Sequence, residues 1–257
     1  MIKIENTEVF GWEAAIRGMR NPKNSWDKSD SYPAVDCKKC GRIEREGICT
    51  KEGRDCTGFE CYDIGENDLK LMQNLSNAGN DHGKFLRMIT VTCDITAPLY
   101  WWKEFDTYKV GTVANSCSTM HKIHDKEFTA DDFSYDQLDN EEVVWTDSDI
   151  GMYSSMDVLG ITVDALNYWR KKYLEAKTKP MKEESKRAKV MKHCWWQMIQ
   201  LLPSSYNQKR TVQINYQVAK AQRSGRRHHK LDEWHDYCDW LEDLPYFKEI
   251  CLGEVKE

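Results

Sequence analysis

A strand, a proline and an aromatic helix follow one another between Phe85 and His121, and this order constrains the fold more than any other feature. Residues 88–95, MITVTCDI, alternate apolar with polar side chains and are rich in β-branched residues, which predicts a strand. Pro98 is expected to end the strand, because proline has no backbone N–H to give to a sheet. The next eight residues carry four aromatic side chains and predict a short buried helix. A polar loop, residues 108–121, follows and is a candidate wall of a binding site.

Apolar residues recur at helical spacing both before and after this stretch. This spacing predicts helices over Glu8–Met19, Asp63–Ala78, Asp157–Lys177, Lys182–Leu202 and Leu231–Leu244. Residues Arg210–Val218 alternate with apolar side chains on one face and predict a second strand. The expected fold class is therefore α+β, an antiparallel sheet that contains Arg87–Ile95 and Arg210–Val218 and is flanked by helices.

Composition limits the classes of function. The chain has 257 residues, 40% of them hydrophobic, which suits a single domain over residues 1–257 with a substantial core. The net charge of −5 makes nucleic acid an unlikely partner for the chain as a whole. Neither a signal peptide nor an apolar span of about 20 residues occurs, so we expect a cytoplasmic protein without membrane contact. Ten cysteines in such a protein are expected to be thiols or metal ligands.

A Cys-rich insert occupies residues 33–62. Cys37 and Cys40 form a Cys-x-x-Cys pair followed by glycine, a spacing that suits two ligands of a structural Zn²⁺, and the other two ligands would come from Cys49, Cys56 and Cys61. The alternatives are a redox role for the pair or reduced thiols without a role.

An acidic excursion follows the polar loop at residues 122–156. Its aromatic residues argue against disorder and predict a packed surface segment. The clustered carboxylates suit a solvated face better than a site for a divalent metal ion.

The polar loop resembles the signature of the flavin-dependent thymidylate synthases. That family has Ala-Pro, a helix, Arg-His-Arg, seven residues and Ser. Here Ala97-Pro98 and the aromatic helix lead to Tyr108, Lys109 and Val110, seven residues, and Ser118, with Asn115 where the family has Asn. Both arginines of the triplet are replaced. The resemblance implies an antiparallel sheet flanked by helices, bound FAD and dUMP, and a homotetramer.

A second segment carries the resemblance further along the chain. After Leu202-Pro203 the family has a strand and a helix with a substrate-binding arginine, and that position falls near Asn215. The replaced charges could be supplied by Arg87 or Arg223. Arg223 belongs to the basic run QRSGRRHHK, which either holds a phosphate or forms an exposed turn. The nucleotide-binding residues expected from the resemblance are Arg87, Tyr108, Lys109, Asn115, Ser118, Asn215 and Arg223.

The sequence leaves three alternative functions. The first is a diverged thymidylate synthase-like enzyme that binds a pyrimidine nucleotide and transfers one carbon to C5 of dUMP or a related nucleotide. The second is a non-catalytic descendant of that fold that binds a nucleotide or a partner, and the third is an accidental resemblance with the Cys-rich insert as an interaction module. The missing arginines make FAD binding doubtful, and no catalytic residue is assigned. The small size, the insert and the depleted motif would suit a bacteriophage protein.

Overall fold

The computed structural model describes residues 2–33, 62–147, 151–178 and 184–253. The strands are β1 (Lys3–Phe10), β2 (Tyr32–Pro33), β3 (Tyr62–Asp63), β4 (Thr90–Pro98), β5 (Val113–Ser116), β6 (Trp145–Asp147), β7 (Gly151–Tyr153) and β8 (Asn207–Asn215). The α-helices are α1 (Trp12–Arg20), α2 (Glu66–Asn77), α3 (Leu99–Phe105), α4 (Thr119–Lys122), α5 (Ser155–Thr178), α6 (Glu184–Leu201), α7 (Tyr216–Arg226) and α8 (Asp232–Glu242). None of the helices in these ranges is long and apolar enough to span a membrane.

A four-stranded sheet in the order β1-β4-β8-β5 is the main β structure, and helices flank it. Strands β4 and β8 are antiparallel neighbours, because the Tyr216 N–H donates to the Ile89 carbonyl at one end and the Leu99 N–H donates to the Tyr206 carbonyl at the other, each over 3.0 Å. The predicted α+β class is confirmed, and so is the prediction that these two strands lie in one sheet.

The Asp94 side chain in β4 links β4 to the strands on both sides of it. Its two carboxylate oxygens accept hydrogen bonds from Asn6 of β1 over 3.0 Å and from Thr211 of β8 over 2.7 Å. Cross-strand side-chain bonds of this kind fix the register of neighbouring strands.

Two predicted elements are present with different bounds. The helix expected over Glu8–Met19 begins only at Trp12, because residues Lys3–Phe10 form β1 and Gly11 turns the chain at φ +95°. The strand expected over Arg210–Val218 ends at Asn215, where the Asn215 side chain accepts a hydrogen bond from the Val218 N–H and begins α7. Strand β4 also runs past Ile95 to Pro98, so the proline lies at its last position rather than beyond it.

Backbone contacts divide the chain into two compact units, and β4 and β8 contribute residues to both. The first unit comprises residues 96–104 and 116–209. Its core contains Phe128, Phe133, Leu159, Leu166 and Met198, so the acidic excursion is packed against α5 and α6.

The second unit comprises residues 2–95, 105–115 and 210–257. Alternate residues of β4, such as Val91 and Cys93, are buried there together with side chains of the flanking helices. Large aromatic side chains fill much of this core, among them Trp12, Tyr216, Trp234 and Tyr237.

The Cys-rich insert lies outside the described residues, but its two ends do not. Tyr32 pairs with Asp63 and Pro33 with Tyr62 in an antiparallel ribbon, which holds the two ends of the insert side by side.

Candidate functional site

Helix α7 begins at the end of a central strand, and its start is fixed by Asn215. The side-chain oxygen of Asn215 accepts the Val218 N–H over 3.0 Å, which is the N-cap arrangement that satisfies one of the unpaired donors of a first helical turn. The predicted site residue Asn215 therefore has a local structural role, and it places its side chain at the N-terminal end of α7.

The polar loop lies directly against this cap. Gly111 has φ +79°, and a Cβ atom there would lie 2.9 Å from the Asn215 amide nitrogen and 3.0 Å from a methyl group of Val218. Glycine is the residue that tolerates both this backbone conformation and so close an approach. The loop is thus held on the first turn of α7.

Arg87, which lies just before β4, contacts the same first turn of α7. Its Nε donates to the Gln217 side-chain oxygen, and Gln217 is the second residue of α7. Arg87 and Gln217 are therefore in contact at the end of α7 that Asn215 caps. An arginine and two amides are groups that bind a phosphate and the edge of a pyrimidine, since amides carry both donors and acceptors.

Tyr108, the first residue of the loop, is anchored at the opposite end of α7. Its hydroxyl accepts a hydrogen bond from Arg226 Nε over 3.0 Å, and the Arg226 guanidinium lies 5.4 Å from the Tyr108 ring and 5.0 Å from the Trp234 ring. A guanidinium close to the face of an aromatic ring is attracted by the ring's electrons. Tyr108 is thus bound within the second unit at the last turn of α7.

The remaining predicted residues are placed differently. Lys109 and Asn115 are exposed on the loop. Arg223 donates to Glu242 of α8 over 2.9 Å, and the neighbouring Arg227 pairs with Asp239, so this part of the basic run is paired with carboxylates of α8. Ser118 belongs to the first unit, where its hydroxyl accepts the His121 N–H and caps α4.

Gln217 was not among the predicted site residues. The alternation of apolar residues from Val212 to Val218 placed it in a strand, and only the cap at Asn215 moves it into the first turn of a helix. The sequence signal that could have identified the start of the helix is Asn215, because asparagine is a preferred N-cap residue.

The buried thiols near this unit's core are not candidate nucleophiles. Burial raises the pKa of Cys93 to about 12 and that of Cys238 to about 11. Both thiols are protonated at neutral pH, and the thiolate is the reactive form.

A separate pocket of about 400 Å³ lies in the first unit, and none of the predicted site residues lines it. Its lining includes Glu127, Asp164, Tyr168, Arg170, Lys171 and Glu175. Among the described ranges, no group of three or more His, Cys, Asp or Glu side chains could hold a metal ion.

Comparison with known proteins finds similar three-dimensional structures. No protein-family model matches the chain, and no curated protein matches it in sequence. The structure is similar to that of thymidylate synthase X (ThyX) from Helicobacter pylori with FAD and dUMP, with a TM-score of 0.56 and 15% sequence identity over 100% of both chains. A second structure, of flavin-dependent thymidylate synthase ThyX from Helicobacter pylori complexed with FAD and dUMP, matches with a TM-score of 0.55 and 15% identity over 99% of this chain and 100% of that one. The chain therefore shares its fold with a flavin-dependent thymidylate synthase.

Proposed function

We propose that this protein binds a pyrimidine nucleotide at the N-terminal end of α7, between that helix and the polar loop. The observation that carries the proposal is the convergence of Arg87, Gln217 and Asn215 at one helix end, with Gly111 holding the loop against it. The N-terminal end of a helix favours an anion, because its first N–H groups and its dipole point at the ligand.

The chemistry of these groups suits a nucleoside monophosphate. The Arg87 guanidinium carries several N–H donors, so it can bind Gln217 and a phosphate together. A glutamine amide has one acceptor oxygen and two N–H donors, which allows Gln217 to accept from Arg87 and donate to a ring carbonyl. The fold likeness to structures that hold dUMP supports a pyrimidine as the base.

The residues of the loop do not fit FAD in the way that the resemblance requires. Tyr108 and Val110 stand where the family has arginines; the Tyr108 hydroxyl is bound to Arg226, and Val110 is 91% exposed. A charge-assisted contact to phosphate is worth about 1.5–3 kcal/mol, so two lost contacts weaken binding by roughly two to four orders of magnitude. We therefore expect nucleotide binding without tight FAD binding, as in a non-catalytic descendant of the fold.

Titration calorimetry with dUMP, UMP and dCMP tests the proposal. Arg87→Gln should weaken binding of the preferred monophosphate by about tenfold to a hundredfold, because one charged hydrogen bond is lost. Lys84→Gln is the matched control, since Lys84 lies in the same short 3-10 turn, Gly83–Arg87, is exposed, and carries the same charge. Absence of binding for all three nucleotides, or equal losses in both variants, contradicts the site.

Catalysis is the second candidate function, and the whole-chain fold likeness favours it. In that case the protein transfers one carbon to C5 of dUMP or a related nucleotide. Tight binding of FAD together with tritium release from 5-tritiated dUMP would establish this activity and would show that the missing arginines matter less than we infer.

We also propose that the Cys-rich insert is a zinc-stabilised interaction module. The ribbon of Tyr32–Pro33 with Tyr62–Asp63 supports a closed loop at this position, because it brings the ends of the insert together. Cys37 and Cys40 would supply two ligands, and Cys49, Cys56 and Cys61 the others.

A further inference from the structure

A short turn, residues 227–231, joins α7 to α8, and His229 holds it in place. The Leu231 N–H donates to His229 Nδ1 over 3.1 Å, and His235 Nε2 lies 2.8 Å from the His229 carbonyl oxygen. Leu231 is the N-cap residue of α8, and its side chain has no polar atom with which to cap the helix. The start of α8 is therefore fixed by hydrogen bonds to His229.

These two hydrogen bonds specify how both histidines are protonated. His229 Nδ1 accepts an N–H, so the neutral ring carries its proton on Nε2. A carbonyl oxygen only accepts, so His235 Nε2 carries a proton. The other ring nitrogen of His235 lies 3.8 Å from an Asp232 carboxylate oxygen, a contact that a second proton on His235 strengthens. Acid therefore breaks a hydrogen bond at His229 and none at His235.

The charges beside His229 nearly cancel. The charged and titratable groups at the end of α7, on the turn and on the first turn of α8 are Arg226, Arg227, His228, Lys230, Asp232 and Glu233. Arg227 is paired with Asp239, which leaves two cations against two carboxylates. Because neither sign prevails, the lost hydrogen bond decides what protonation of His229 does.

The start of α8 is connected to the polar loop through Trp234. This buried residue lies in the first turn of α8, and its ring centre is 6.2 Å from that of His229 and 6.4 Å from that of Tyr108. The Arg226 guanidinium lies 5.0 Å from the Trp234 ring and donates to the Tyr108 hydroxyl over 3.0 Å. A shift of the first turn of α8 therefore disturbs the contact that holds Tyr108, because a close-packed core leaves no room for one ring to move alone.

We propose that this turn is a pH-dependent clasp on the polar loop. Neutral His229 holds the start of α8 and, through Trp234 and Arg226, keeps Tyr108 on α7. Protonation of His229 replaces the acceptor at Nδ1 by a second donor that faces the Leu231 N–H, so the start of α8 loosens and the loop is released. Histidine side chains take up this proton between about pH 5 and pH 8. The consequence for ligands rests on the proposed nucleotide site, which the same loop borders.

Hydrogen exchange measured by mass spectrometry without nucleotide tests the release of the loop. It follows the amides of residues 108–112, among them the Tyr108 N–H that donates to the Phe105 carbonyl over 3.0 Å. After correction for the intrinsic effect of pH on exchange, protection in the unaltered protein should fall roughly three- to tenfold from pH 7.5 to pH 5.5, because one hydrogen bond is lost.

Two variants at His229 separate the hydrogen bond from the ring. His229→Asn keeps an acceptor that does not titrate, so the loop should stay protected at both pH values. His229→Phe keeps a ring without an acceptor, so the loop should exchange quickly at both. His228→Asn is the matched control, since His228 is the exposed neighbouring histidine, and it should respond to pH as the unaltered protein does. Equal protection at both pH values in the unaltered protein, or a pH response that His229→Asn retains, overturns the proposal.

Titration with dUMP at pH 5.5 separates the clasp from the nucleotide site. At a single pH the phosphate is protonated equally in every sample, so dUMP should bind His229→Asn roughly three- to tenfold more tightly than the unaltered protein. Equal affinities contradict the link between the clasp and the site. Release of the loop without dUMP binding in any sample contradicts the nucleotide site alone, whereas dUMP binding with a loop that does not respond to pH contradicts the clasp alone.

Discussion

Arg20 donates from Nε to an Asp68 carboxylate oxygen over 2.6 Å, and the two side chains are 4% and 0% exposed. The other Asp68 oxygen accepts hydrogen bonds from the hydroxyls of Ser29 and Ser31 and from the backbone N–H groups of Asp30 and Ser31. A buried ion pair is stable only where its remaining hydrogen-bonding capacity is satisfied, as it is here. This cluster fastens the chain before the Cys-rich insert to helix α2.

Replacement of Asp68 by asparagine should destabilise the protein strongly. The Asp68→Asn side chain keeps the shape but leaves the Arg20 charge buried without a counter-ion, which typically costs about 3–5 kcal/mol. The free energy of unfolding, measured by urea denaturation, checks this. Asp81→Asn, at an exposed turn, should change it by no more than about 0.5 kcal/mol; similar small effects for both variants would contradict the role of the pair.

The same carboxylate should make stability depend on pH. Burial alone would raise the pKa of Asp68, but the hydrogen bonds from Ser31, Ser29 and Arg20 together outweigh burial and hold its pKa below the ordinary value. Because the folded pKa is the lower one, ionised Asp68 stabilises the fold above its unfolded pKa of about 3.9. That stabilisation is lost as the pH falls through the folded pKa.

The comparison of wild type with Asp68→Asn isolates this effect, since every other titrating group is common to both. The difference in free energy of unfolding should be largest at neutral pH and should narrow below about pH 4. A difference that stays constant down to about pH 2.5 would show that Asp68 does not titrate as inferred.

Replacement of Gly111 by alanine should both destabilise the protein and displace the loop. The left-handed backbone at Gly111 and the contact of a new Cβ with Asn215 together should cost about 1–3 kcal/mol. Gly79→Ala is the matched control, because Gly79 has φ +98° but no atom within 4 Å of an added Cβ, so it reports backbone strain alone. Nucleotide affinity should fall only in Gly111→Ala; equal behaviour of the two variants would show that the loop does not depend on its contact with α7.

Measurement of the zinc content tests the proposed zinc site in the Cys-rich insert. Protein purified without chelator should contain about one zinc ion per chain. Cys37→Ser with Cys40→Ser should remove that zinc, because two of its four ligands are lost, whereas Cys117→Ser, at an exposed cysteine outside the insert, should retain it. Absence of zinc from the unaltered protein, or its retention in the double variant, would end the assignment.

The local sequence pattern was sufficient to predict many of the strands and helices of this fold. The alternation that buries Val91, Cys93 and Ile95 identified β4. Helical spacing identified α2, α5, α6 and α8 within a few residues of their ends, and a run of aromatic residues identified α3. These elements could be predicted because the repeat of apolar residues along the chain matches the repeat of the element that buries them.

The start of α7 could not be derived in this way. The alternation of apolar residues continues from Val212 to Val218 through the end of β8, so periodicity favours a strand over all of it. Only the hydrogen bond between the Asn215 side chain and the Val218 N–H ends the strand and begins the helix. Strand β1 is a similar case, since Asn6 meets Asp94 only when β4 is beside it.

The sequence by itself therefore determined the fold class, the main strand β4, most of the helices and the candidate loop at residues 108–121. Only the tertiary structure decided which side chains meet: it placed Gly111 on Asn215 and Arg87 on Gln217 at the candidate site, and it paired Arg223 with Glu242 of α8 instead. The physical reason is that burial periodicity is a property of neighbouring residues, whereas a side-chain partner far along the chain is set by how the elements pack.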